Sequence, residues 1–326
     1  MRHNQHSRGT RQMAHADILH IRSTVRILLR DEVTERRYIL SSPALNRVMS
    51  PVSIIVRAKT WLEVREIGAL AQLTSRKSAA SADATGTLHF GRWVSLRGHN
   101  HFAYFSEFDG DLRKSVRDAS GLMAPVLDLL LEHVVGAPPV PVQKNVDALC
   151  DWVVANNLDP IGFYSAYPNL TVRDIRTRSG VVHGAVGKTA LQTPFTLVLP
   201  AKSPSYLEAA SRLIAYALPQ FYQAAEAIGT LHFARFVPLG TTALVFVSEF
   251  DGEFGEHIQG LSQHLGPLFD AIFQNIADPP PCPVQQNAHA FAEWISSHNV
   301  EPWWFYSAYP TLSVQDIRAG AGGTNG

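Results

Sequence analysis

The stretch GTLHFARFVPLGTTALVFVSEFDG, Gly229 to Gly252, has a near copy earlier in the chain, GTLHFGRWVSLRGHNHFAYFSEFDG from Gly86 to Gly110. Each copy holds two runs rich in β-branched and aromatic residues, joined through Gly98 or Gly240 and closed by Asp-Gly. That composition predicts a β-hairpin, with strands over 87–96 and 101–108 in the first copy and over 230–239 and 242–250 in the second. A second phrase repeats downstream: FYSAYPNLTVRDIR, Phe163 to Arg176, returns as FYSAYPTLSVQDIR, Phe305 to Arg318. The chain is an internal duplication.

Reading outward from the hairpins, SIIVRA (53–58) and FTLVLP (195–200) predict a strand ahead of each one. Each is followed by a helix-compatible segment, from Trp61 to about Arg76 and from Ser205 to about Ile228. After the hairpins, LMAPVLDLLLEHV and LGPLFDAIFQNI carry apolar residues at helical spacing. A proline-rich break, a short amphipathic helix around Trp152 or Trp294, and an aromatic strand stopped by Pro168 or Pro310 complete each copy. The order β-α-β-β-α-(α)-β is that of a ferredoxin-like split βαβ unit. Expected boundaries are a basic arm over 1–48, repeat 1 over 49–177, a glycine-containing linker over 178–193, repeat 2 over 194–318 and a disordered tail over 319–326.

A ferredoxin-like sheet covers one face with its own helices and needs a partner for the other. Tandem copies supply it, so the fold class expected is α+β, with two βαββαβ repeats packed sheet to sheet. In element order and duplication the chain resembles the dimeric α+β barrel superfamily, folded here from one chain.

Composition narrows the function. Among 326 residues, 28 basic and 28 acidic side chains leave no formal charge, so general attraction to nucleic acid or to an anionic membrane is not indicated. No run reaches the length of a membrane span, and the basic N-terminal arm lacks the apolar stretch of a signal peptide. Two cysteines, Cys150 and Cys282, fall at unrelated places in the repeats, which favours a reducing, cytoplasmic setting over a disulfide framework. HExxH, GxSxG and GxGxxG in a strand-to-helix context are absent. Gly187-Lys188-Thr189 lacks the glycine cradle of a P-loop, and His99-Asn100-His101 reads as a turn rather than a metal site.

The ionisable residues inside the apolar strands are the candidates for chemistry. With Gly240 and Thr241 as a two-residue turn, the register sets His232 opposite Glu249 and, in the first copy, His89 opposite Glu107. Each pair serves either as an acid–base couple or as a structural cross-strand contact. The same register places Arg92 opposite Tyr104 and Arg235 opposite Phe246, as guanidinium groups that either orient a substrate or stack structurally. Tyr164, Tyr167, Tyr306 and Tyr309 end the last strands, where they either line a barrel mouth or fill the seam between repeats. Trp303 and Trp304 stand where the first copy has Ile161 and Gly162, so the two halves should enclose different volumes.

Asp109 and Asp251, in SEFDG, suit the N-cap of the following helix. SEFDG also resembles the GxxDG motif of dye-decolourising peroxidases, with Ser106 and Ser248 at its first glycine. That resemblance implies haem, Asp109 or Asp251 as distal acid, and an axial histidine among His257, His264 and His289. The leading expectation is an enzyme acting on a small, largely hydrophobic molecule through His/Glu pairs, with oxidative chemistry as one option. The alternatives are a haem peroxidase and a non-catalytic ligand-binding or scaffold protein.

Overall fold

A computed structural model describes residues 48–96, 100–187 and 190–322; the N-terminal arm, the first hairpin turn around Gly98 and Lys188-Thr189 lie outside them. The first half runs β1 (Met49–Arg57), α1 (Trp61–Leu73), α2 (Ser75–Thr85), β2 (Leu88–Leu96), β3 (His101–Asp109), α3 (Leu112–Leu131), α4 (Val146–Asn156), β4 (Gly162–Ser165) and α5 (Val172–Ser179). After a short β5 (Ala185–Val186), the second half runs β6 (Gln192–Pro200), α6 (Pro204–Ile228), β7 (Leu231–Leu239), β8 (Ala243–Asp251), α7 (Phe254–Phe273), α8 (Ala288–His298), β9 (Pro302–Ser307) and α9 (Val314–Gly322). The helix α9 takes up residues 319–322, which the sequence assigns to a disordered tail.

The strands form two antiparallel sheets, ordered β1-β3-β2-β9-β5 and β4-β7-β8-β6. The last strand of each copy therefore joins the other copy's sheet: β9 pairs with β2, and β4 with β7. Element order alone could not reveal this exchange, because it says which strands exist and not whose edge they extend. Two polar clamps fasten the exchanged strands. Arg176 of α5 donates to Ala308 O and to Asp83, which also accepts from the Tyr306 hydroxyl. Arg318 of α9 donates to Ala166 O and to Glu226, which accepts from Tyr164.

The sheets face one another, as in a dimeric α+β barrel. Alternation along the strands sends Val94, Phe105, Val237, Val245 and Val247 into the layer between sheets. On the outer face of the first sheet, Val52, Ile54, Val56, Phe102 and Phe108 pack under the helices.

The two halves differ in the helix after the first strand. In the second half it is a single helix, α6, of 25 residues. In the first half the helix breaks at Thr74, where the backbone leaves helical geometry (φ −94°, ψ 6°), and α2 restarts as SRKSAASADAT. Small residues thus face the first sheet where α6 presents Leu218, Phe221 and Tyr222.

Candidate functional site

Two features decide where the expected site residues fall. The second hairpin turn is one residue longer than assumed, so Leu239 pairs with Ala243, and both β2–β3 and β7–β8 carry a bulge at the histidine. Phe90 and Phe233, not the histidines, pair with Glu107 and Glu249, and His89 and His232 are the extra residues. The bulge turns both the histidine and the next phenylalanine into the space between the sheets. There His89 meets the Phe233 ring edge-on at 5.6 Å, and Phe90 meets His232 at 5.3 Å. The same shift sets Arg92 opposite Phe105 and Arg235 opposite Val247, rather than opposite Tyr104 and Phe246.

The expected His–Glu pairs do not form. His89 Nε2 lies 2.9 Å from Asp109 Oδ1, and His232 Nε2 lies 2.6 Å from Asp251 Oδ1. The other ring nitrogens meet tyrosines, with His89 Nδ1 2.9 Å from the Tyr309 hydroxyl and His232 Nδ1 2.7 Å from that of Tyr167. The two hydroxyls are 2.8 Å apart, which closes an unbroken chain, Asp109–His89–Tyr309–Tyr167–His232–Asp251, across the pseudo-twofold axis. Burial drives both phenols well above their usual range, so they stay protonated.

Asp109 and Asp251 do not cap the helices that follow them. Asp111 caps α3, whereas Asp109 Oδ2 accepts from Val172 N–H at the start of α5, and Asp251 Oδ2 accepts from Val314 N–H at the start of α9. Each carboxylate sits at a helix N-terminus, where the exposed amides favour negative charge.

Glu107 and Glu249 are spent across the sheets, on Arg235 and Arg92 respectively. Arg92 also donates to Phe195 O, Thr196 Oγ1 and Ser248 O, and Arg235 to Ser53 Oγ and Val52 O. Burial depresses the Arg92 guanidinium, Glu107 opposes that shift, and Arg235 adds to it, so the four charges act as one neutral cluster. All four side chains, and both histidines, are buried at 0–1% exposure. The tyrosines fill the seam: Tyr167 and Tyr309 in the central chain, Tyr164 and Tyr306 in the clamps. The histidines, arginines and glutamates singled out from the strands are thus sealed from solvent.

The open space is elsewhere. A cavity of about 240 Å³ lies on the outer face of the first sheet, beneath α2, α3 and α4. Its walls are apolar and aromatic, and among the described residues no charged or histidine side chain lines it. The polar groups are serine and threonine hydroxyls, indoles and Tyr104, whose phenol is pushed up to about 12 by burial and so remains a proton donor at neutral pH. Trp304, brought here by the strand exchange, lines it too, and its indole Nε1 is buried with no acceptor among the described residues. Gly91 permits this packing, since a Cβ there would stand 3.1 Å from both the Tyr104 hydroxyl and the Trp304 ring.

The equivalent region of the second half is filled. By the repeat, Val52, Ser78, Ser115, Ala119 and Leu127 correspond to Phe195, Phe221, His257, Leu261 and Phe269, all buried. Over Gly162, the counterpart of Trp304, Leu218 packs so closely that a Cβ would approach it to 2.1 Å. The sequence carried this signal in the position-by-position comparison of the copies. At the exchanged strands it shows as Trp303 and Trp304 against Ile161 and Gly162.

Haem does not fit these residues. His257 is buried and lies parallel to Phe250 at 3.7 Å, His264 is exposed, His289 is exposed beside Glu293, and Asp109 and Asp251 are committed to the central chain.

No protein-family model matches the chain, and no curated protein matches it. Solved structures similar to it include a candidate monooxygenase from Lactobacillus acidophilus, 9% identical with a TM-score of 0.33, over 70% of this chain and 90% of its own. A candidate monooxygenase from Fusobacterium nucleatum is 8% identical with a TM-score of 0.32, over 82% of this chain and 98% of its own. Likenesses this distant do not bear on what this chain binds.

Proposed function

We propose that the protein acts on one small, uncharged, largely hydrophobic molecule per chain, held in the first-half cavity, with Tyr104 as the proton donor to it. The observation that carries this reading is the asymmetry of the repeat: the same fold position is open in one half and packed with larger side chains in the other. An apolar cavity of about 150 Å³ is enough for benzene, so the space here suits a molecule of one or two rings or a short branched chain. A buried, neutral phenol is suited to stabilise negative charge developing on a substrate oxygen.

The test is metabolite profiling. Wild-type protein and Tyr104→Phe are each incubated with a small-molecule extract and followed by mass spectrometry. Depletion of a neutral apolar species by the wild type, and not by Tyr104→Phe, is the expected result. A second reading, non-catalytic binding, is favoured by the burial of the histidines and glutamates at 0–1% exposure. Retention of a bound species with no depletion by either protein selects that reading and overturns the first.

A further inference from the structure

The filled half indicates what the open half receives. His257 in α7 lies on Phe250 with ring centroids 3.7 Å apart and planes 4° from parallel. Neither ring nitrogen has a hydrogen-bond partner among the described residues, and burial pushes the imidazole down to about 3. The ring is therefore neutral and held as a flat, apolar plate by stacking. In the first half, Phe108 occupies the place of Phe250 and Ser115 that of His257, and both line the cavity. The serine leaves the face of Phe108 without the ring that covers its counterpart.

We infer that the ligand of the first-half cavity carries a planar aromatic ring that stacks on Phe108, where the second half supplies its own ring from His257. This rests on the proposed function, since it assigns an occupant to the same cavity. The remaining walls agree with it. Trp93, Trp152, Trp304 and Tyr104 surround the space with ring faces and edges, to which a flat π-system packs better than a puckered aliphatic one. With no charged side chain lining the space among the described residues, the ring is neutral when bound.

The probes are 2-naphthol and trans-2-decalol, which share a two-ring carbon skeleton and a hydroxyl but differ in planarity and π-character. Calorimetric titration of the wild-type protein is expected to show 2-naphthol binding about fivefold tighter, the scale of one aromatic pair beyond its buried area. Equal or tighter binding of the decalol overturns the ring inference and leaves the cavity reading standing. Binding of neither overturns both. Ser115→His, with its fold checked by circular dichroism, is expected to lose 2-naphthol binding because its imidazole takes the place on Phe108. Undiminished binding by a folded Ser115→His protein overturns the placement of the ring.

Discussion

Tyr309 gives the central hydrogen-bond chain its continuity, since its hydroxyl meets both His89 Nδ1 and the Tyr167 hydroxyl. Tyr309→Phe keeps the ring and removes both contacts, leaving a fully buried imidazole nitrogen without a partner. A loss of about 1–3 kcal/mol in denaturant-derived stability is expected; a change under about 0.5 kcal/mol would show that the chain is incidental to folding. His257 yields a pH prediction. Its folded value is about 3 against 6.5 for the free side chain. Above 6.5 it is neutral in both states. Between 6.5 and 3 the unfolded chain takes a proton that the folded one refuses. Stability therefore falls with acid by about 1.4 kcal/mol per pH unit from this residue. His257→Phe should flatten that slope in a series of urea titrations; an unchanged slope would place the acid sensitivity elsewhere.

At the scale of elements, the hairpins are held to one another through Arg92–Glu249 and Arg235–Glu107. Removing one member strands a buried charge, so Arg92→Met alone should cost about 3–5 kcal/mol. The double change Arg92→Met with Glu249→Leu should recover most of that loss. A double variant as unstable as the single one would mean that the arginine's bonds to Phe195 O and Ser248 O, rather than the ion pair, are what matters. The hairpins themselves were legible from alternation and turn residues, which put the histidines and glutamates on their strands. Their partners were not legible. One extra turn residue and one bulge per hairpin change the register, and nothing in the residue types of LHF announces a bulge. The carboxylate partner, Asp109 or Asp251, lies two residues further on in the same phrase.

For the whole molecule, duplication fixed the architecture in advance, while the exchange of β4 and β9 and the difference between the halves came only with the structure. Exchange makes each sheet depend on both copies. A chain nicked at a protease site introduced between residues 180 and 186 should keep its two pieces together in native light scattering; separation into free pieces would contradict the pairing of β9 with β2. The difference between halves was written in the sequence as five substitutions toward larger side chains, from Val52 to Phe195 through Leu127 to Phe269. It could be read only once their shared faces were known.

The central claim is one apolar site per chain, in the first half. Calorimetric titration with 2-naphthol measures it directly, for the wild-type protein beside Val52→Phe with Ala119→Leu; the latter replacement copies Leu261, as the former copies Phe195. One molecule bound per wild-type chain, and none to the folded double variant, is the expected result. Two molecules per wild-type chain, or undiminished binding by the double variant, would contradict it.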